Sequence, residues 1–155
     1  MNHKIFVSYA REDVQWLNRI LPFLKTLHNL HGIEIWWDGN IGPGCKWGEE
    51  IQKSLESSIG AVCLISEHFL SSDFIWREEL PAILRGVEED GKIFIPVIVR
   101  NCPFDLFRSI SIFQSVNSPE KALENLSELE QNNIFTITVK ALNNFYMAQK
   151  KNDRN

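Results

Sequence analysis

Two stretches, Gly60 to Ser66 (Gly-Ala-Val-Cys-Leu-Ile-Ser) and Ile93 to Val99 (Ile-Phe-Ile-Pro-Val-Ile-Val), are almost continuously apolar over the length of a strand. A strand with one face in water alternates apolar and polar residues; a strand without alternation is covered on both faces. These runs therefore demand a sheet buried between two layers. Lys4 to Ser8 and Ile33 to Trp37 read as further strands. Helical patterns separate the four, which implies βαβ crossovers. The expected architecture is a flavodoxin-like α/β three-layer sandwich with a mainly parallel central sheet.

Leu17, Ile20, Leu21, Leu24 and Leu27 form a helical stripe, with Pro22 predicted to kink it and Gly32 to end it. Trp47, Ile51, Leu55 and Ile59 predict a second helix by their spacing of four. Trp76, Leu80, Ile83, Leu84 and Val87 predict a third, capped by Ser72 or Asp73 and closed by Gly91. An irregular stretch from Asn101 to Ser111, a short edge strand at Phe113 to Val116 and a last helix between Ser127 and Tyr146 complete the chain. Residues 1–147 read as one domain, and 148–155 as a polar tail or linker stub.

With 155 residues, 44% hydrophobic and 23% charged, the chain is globular rather than disordered. It has no apolar run of the ~20 residues that span a bilayer and no signal-peptide core, so a soluble, cytoplasmic protein with no membrane role is expected. A net charge of −4 without a basic stripe argues against direct nucleic-acid binding, because phosphate neutralisation supplies most of that affinity. Cys45, Cys63 and Cys102 form no C-x-x-C pair, and the histidines show no ligand spacing; neither a metal nor a resident cofactor is expected.

In doubly wound sheets ligands sit beyond the carboxyl ends of the strands, which directs attention to the loops after Ser8, Trp37 and Ser66. A phosphoacceptor reading fails because Ser66-Glu67 stands where an Asp is required. Gly42-Pro43-Gly44-Cys45-Lys46-Trp47-Gly48 lacks the Gly-Lys-Ser/Thr of a phosphate loop and reads as a turn. Glu78 and Glu79 open the helix after the third strand; Glu78 is expected to face outward and Glu79 the carboxyl edge of the sheet. Both can equally be first-turn acids that complement the helix dipole. Pro81 leaves the carbonyl of Arg77 without its usual donor, which favours an irregular turn beside Glu79.

Taken in order, the motifs resemble a known family. Phe6-Val7-Ser8-Tyr9-Ala10-Arg11-Glu12-Asp13 resembles the first box of Toll/interleukin-1 receptor (TIR) domains of bacterial type. Asp38-Gly39-Asn40-Ile41-Gly42-Pro43-Gly44 followed by Trp47 resembles the second box and its BB loop. Ser66 through Pro81 is similar to the αC region, and Phe113-Gln114-Ser115-Val116-Asn117 to a late motif of the group. The resemblance implies cleavage of NAD⁺ at the nicotinamide–ribose bond, by hydrolysis or by cyclisation, in bacterial immune defence. Its catalytic glutamate falls on Glu79. One departure stands out: Trp precedes that Glu by four residues in several enzymatic members, whereas this chain has Ile75. Tyr9, Ala10, Arg11, Asp38, Trp47 and Trp76 are the implied substrate contacts, with Trp37 or Trp47 able either to stack on a base or to join the core. Gly39, Asn40, Ile41, Gly42, Pro43 and Gly44 would be the assembly loop through which protomers stack, as a homo-oligomer or filament, under a fused or separate sensor. The alternative is a non-catalytic TIR–TIR interaction module in signalling.

Overall fold

The computed structural model describes residues 4–38 and 47–153. Its core is a four-stranded parallel sheet in the order β2-β1-β3-β4, from β1 (Lys4–Ser8), β2 (Glu34–Trp36), β3 (Ser58–Ile65) and β4 (Ile93–Ile98). All eight residues of β3 are buried, as their unbroken apolar run requires. On one face Ile5, Val7, Val62, Leu64, Ile95 and Val97 pack under α1 (Val14–His31) and α6 (Glu128–Asp153). On the other, Phe6, Ala61, Cys63, Ile65 and Phe94 meet α2 (Trp47–Glu56) and α4 (Leu80–Asp90). The α/β sandwich is therefore three layers deep.

Helix ends follow local chemistry. Gly32 (φ 76°) and Gly91 (φ 66°) close α1 and α4 in the left-handed region that costs glycine nothing. α1 runs unbroken past Pro22, which lies on its exposed side. Ile59 belongs not to α2, as its spacing predicts, but to β3, where the register with β1 skips from Ser58 to Gly60 and leaves it as the extra residue of a bulge. Gly60 sits so close to the neighbouring strand that a Cβ there would fall 2.0 Å from the Ile93 carbonyl oxygen. α6 extends through Asp153, so residues 149–153, read as polar tail, are helical.

The edge strand predicted at Phe113 to Val116 does not form. Val116 donates one hydrogen bond to the Pro96 carbonyl (3.0 Å), and the Asn117 side chain then takes over. Its Oδ1 accepts from the Ile98 N–H at 3.0 Å, and its Nδ2 donates to the Ile98 carbonyl at 2.8 Å and to the Lys121 carbonyl at 2.8 Å. A side-chain amide thus does the work of a strand. Pro96 and Ile98 present their backbone groups to the same outer side, so the donor that Pro96 lacks is one β3 never needed.

Asn117→Ala removes both partners of Ile98 at a buried position. We expect a loss of about 2–4 kcal/mol, from the cost of leaving buried backbone groups unpaired, in urea denaturation.

Candidate functional site

Period two along β1 puts Ser8 on the same face as Phe6, beneath the α4 layer and beside its β3 partner Cys63. Chain polarity places it at the carboxyl end of the sheet, where the order turns back between β1 and β3. Across from it the chain leaves β3 through Ser66, whose Oγ accepts from the Phe69 N–H (3.1 Å) and caps α3 (Glu67–Leu70), a short helix the periodicity did not reveal. After Ser72, whose Oγ accepts from the Ile75 N–H at 3.3 Å, the helix widens into a π-turn over Ile75–Glu79 before α4 begins.

Glu79 ends that turn and lies 2% exposed. Ser8 Oγ donates to its Oε1 at 2.7 Å, while Oε2 is buried without a hydrogen-bond partner among the described residues. Glu78 is exposed, so the two acids divide as the sequence pattern predicts. Burial raises the Glu79 carboxyl to about 8, the Ser8 hydroxyl pulling back and the Asp38 charge adding to the rise. Tyr9 is raised by burial and then by the charges of Asp38 and Glu79, with Arg11 opposing. The Cys63 thiol is pushed well up, first by burial and then by Glu79, and the Ser8 hydroxyl opposes. Ser8, Tyr9, Arg11, Asp38, Cys63 and Glu79 thus share one electrostatic neighbourhood.

A second buried acid braces the site. Asp13, 1% exposed, accepts from Ser66 Oγ and ties the loop after β1 to the loop after β3. Burial raises its carboxyl and the Ser66 hydrogen bond opposes. Asp13 and Ser66 were missed as a pair because nothing in local spacing connects them. Ser8 was readable, since alternation from Phe6 assigns its face.

The other predicted contacts divide. Ala10 is buried at the end of β1, Arg11 is exposed in a 3-10 turn over Arg11–Asp13, and Asp38 is half-buried. Trp76 is turned to other partners: its Nε1 donates to the Leu70 carbonyl (2.9 Å) and its ring lies 5.6 Å from that of Phe107. Trp37 packs against the α1 side of the core. The Trp47 side chain and the loop from Gly39 to Gly44 lie outside the described residues. Among the described residues no group of three His, Cys, Asp or Glu is placed to hold a metal ion, and no helix is long and apolar enough to cross a membrane. An open groove of about 630 Å³ is walled by Leu21, Pro22, Lys25, His28, Ile35 and Trp36, and Glu79 is not among the residues that line it.

The family model of the TIR domain matches residues 5–129. A protein of Sinorhizobium fredii, the uncharacterized protein y4lF, is 28% identical over 102 residues, which cover 63% of this chain and 30% of that protein. The chain thus spans under a third of the length of that relative. Among solved structures, the TIR domains of the activated Roq1 resistosome directly recognizing the pathogen effector XopQ superpose with a TM-score of 0.54. Their identity is 21%, over 90% of this chain and 84% of that one, a likeness of fold.

A carboxyl held near 8 when folded and at the ordinary glutamate value of 4.5 when unfolded makes stability depend on pH. The native state binds the proton more tightly, so this contribution is complete below the unfolded value and disappears as pH rises through the folded one. Relative to Glu79→Gln, the wild-type chain should lose on the order of a few kcal/mol between pH 5 and 8.5, measured by urea unfolding at each pH.

Proposed function

The chain belongs to the TIR-domain family, and on that premise we propose that its Glu79 cleft cleaves the nicotinamide–ribose bond of NAD⁺. The observation that carries this reading is a carboxyl buried at the mouth of β1, with one oxygen held by Ser8 and the other uncommitted among the described residues. Bond breaking sends the electron pair to the ring nitrogen, so nicotinamide leaves neutral and needs no acid to protonate it. The ribose carbon is left as an oxocarbenium-like centre, and a fixed anion beside it stabilises that charge where water is excluded. This is a one-carboxylate task, unlike ordinary glycosides, whose leaving oxygen must be protonated. Water then attacks the sugar carbon and loses a proton, or an adenine nitrogen of the same molecule closes a ring.

The raised pKa of Glu79 fits this economy. At neutral pH the empty cleft holds mostly the acid form; a bound pyridinium cation favours the carboxylate and expels its proton. Tyr9, Arg11 and Asp38 share the electrostatic neighbourhood of Glu79, and in this reading Tyr9, Ala10, Arg11 and Asp38 contact the substrate, with the exposed Arg11 meeting a phosphate.

By the same reading the domain acts in bacterial immune defence and is switched on by self-assembly, Gly39 to Gly44 of one protomer reaching the cleft of the next. The likeness to TIR domains of an activated resistosome supports assembly, and the greater length of the Sinorhizobium relative supports a sensor region fused to the domain or separate from it. One observation favours the second reading, a non-catalytic TIR–TIR module: Ile75, four residues before Glu79, is fully buried and offers no aromatic surface.

Free nicotinamide released from NAD⁺ by concentrated protein separates the two. The catalytic reading expects release that Glu79→Ala lowers at least a hundredfold; no release from assembled wild-type protein would leave the module. If the carboxylate is the working form, kcat/KM rises with pH to a plateau above about 8, and the limb for kcat lies lower because the substrate cation holds the ionised form. Turnover per protomer should also climb steeply with protein concentration, and a flat value over a hundredfold dilution would argue against assembly control.

A further inference from the structure

The backbone around Glu79 is not an ordinary helix. Leu80 donates its N–H to the carbonyl of Ile75, five residues back, in place of the usual four. In a regular helix residues five apart point about 140° from each other, yet Ile75 and Leu80 are each 1% exposed and Glu79 between them 2%. The wide turn is what lets all three face inward. Its last residue departs from helical values: Glu79 has φ −100° and ψ −56°, whereas the flanking Phe74 (φ −60°, ψ −47°) and Leu80 (φ −58°, ψ −43°) are ordinary.

Pro81 follows immediately. It has no N–H for the Arg77 carbonyl, and its ring would crowd that carbonyl in a regular turn. The ring itself is exposed, so it packs nothing in the core. Its effect on the structure is confined to the backbone it will not allow.

We propose that Pro81 is a positioning residue, holding open the π-turn that turns the Glu79 carboxyl inward against Ser8. The proposal rests on the assignment of Glu79 as the working carboxylate, but the geometry it describes can be measured without turnover. With the proline replaced, the turn closes by one residue at Glu79, which rotates by about 100° relative to α4 while Ile75 keeps its place in the core. Glu79 then leaves Ser8 for solvent, and with it the neighbourhood of Asp38, Tyr9 and Cys63 that faces it from the other elements.

Pro81→Ala and Pro81→Ser, each in the full chain, test this. The first readout is titration of the Glu79 side chain by ¹³C NMR in unliganded protein, assigned with Glu79→Gln. Its midpoint should move down by at least one pH unit, towards an ordinary glutamate. The second is NAD⁺ cleavage, where kcat should fall at least tenfold while KM stays within threefold. The third is thermal stability, which should hold or rise because a helix breaker has been removed. A loss of packing could lower kcat, but it would not combine an ordinary Glu79 titration with an undiminished melting temperature. Unchanged titration and unchanged kcat would overturn the proposal, as would variants that fail to fold, since the proline would then carry packing the proposal denies it. Should the wild-type chain prove inactive, the functional reading falls and the titration still decides the role of Pro81.

Discussion

One hydrogen bond joins the first strand to the helix that follows the third: Ser8 Oγ to Glu79 Oε1, between residues 71 apart in the chain. It spans the place where the sheet order reverses, and it is the means by which a buried carboxyl is tolerated there at all. The rest of the site is arranged around that tolerance. Cys63 beneath it is small and neutral, Tyr9 stays protonated, and Asp38 contributes like charge rather than relief. Among the described residues, no cation is one of the groups that shift Glu79. A site built for stability alone would have paired this acid with an arginine; leaving it poorly satisfied is the kind of local cost that accompanies function.

The layers explain why the cost can be borne. β3 and its neighbours are sealed on both faces by apolar side chains, and Asp13 with Ser66 binds the loop after β1 to the loop after β3. The carboxyl ends of β1 and β3 are thereby fixed relative to each other before any ligand arrives, which is what a preorganised site requires. The π-turn adds the last adjustment, turning one residue of an otherwise ordinary helix inward.

Much of this was legible in the chain. Unbroken apolar runs predicted a sheet covered on both faces, and the glycines at 32 and 91 marked their helix ends. Glu78 and Glu79 separated as expected, and the missing donor of Pro81 announced the irregular turn beside them. Other features were hidden for physical reasons. Ile59 continued a helical spacing by coincidence, and only the register against β1 reveals the bulge that claims it. Phe113 to Val116 has strand composition, but a side-chain amide two bonds wide does the pairing, and composition cannot distinguish the two. The Asp13–Ser66 pair is a tertiary contact with no local signature. Nor does the chain alone disclose that the Trp76 indole donates to the Leu70 carbonyl and packs beside Phe107.

The Asn117 amide has a bearing on how copies of this domain can meet. By occupying the outward N–H and C=O of Ile98, with Val116 on Pro96 beside it, it caps the sheet on its β4 margin. Two molecules cannot fuse their sheets across that margin without first peeling the amide away. Whatever geometry an assembly of this protein adopts, its contacts there must be made by side chains and loops, and it is spared the indiscriminate ribbon-to-ribbon stacking that an open edge invites.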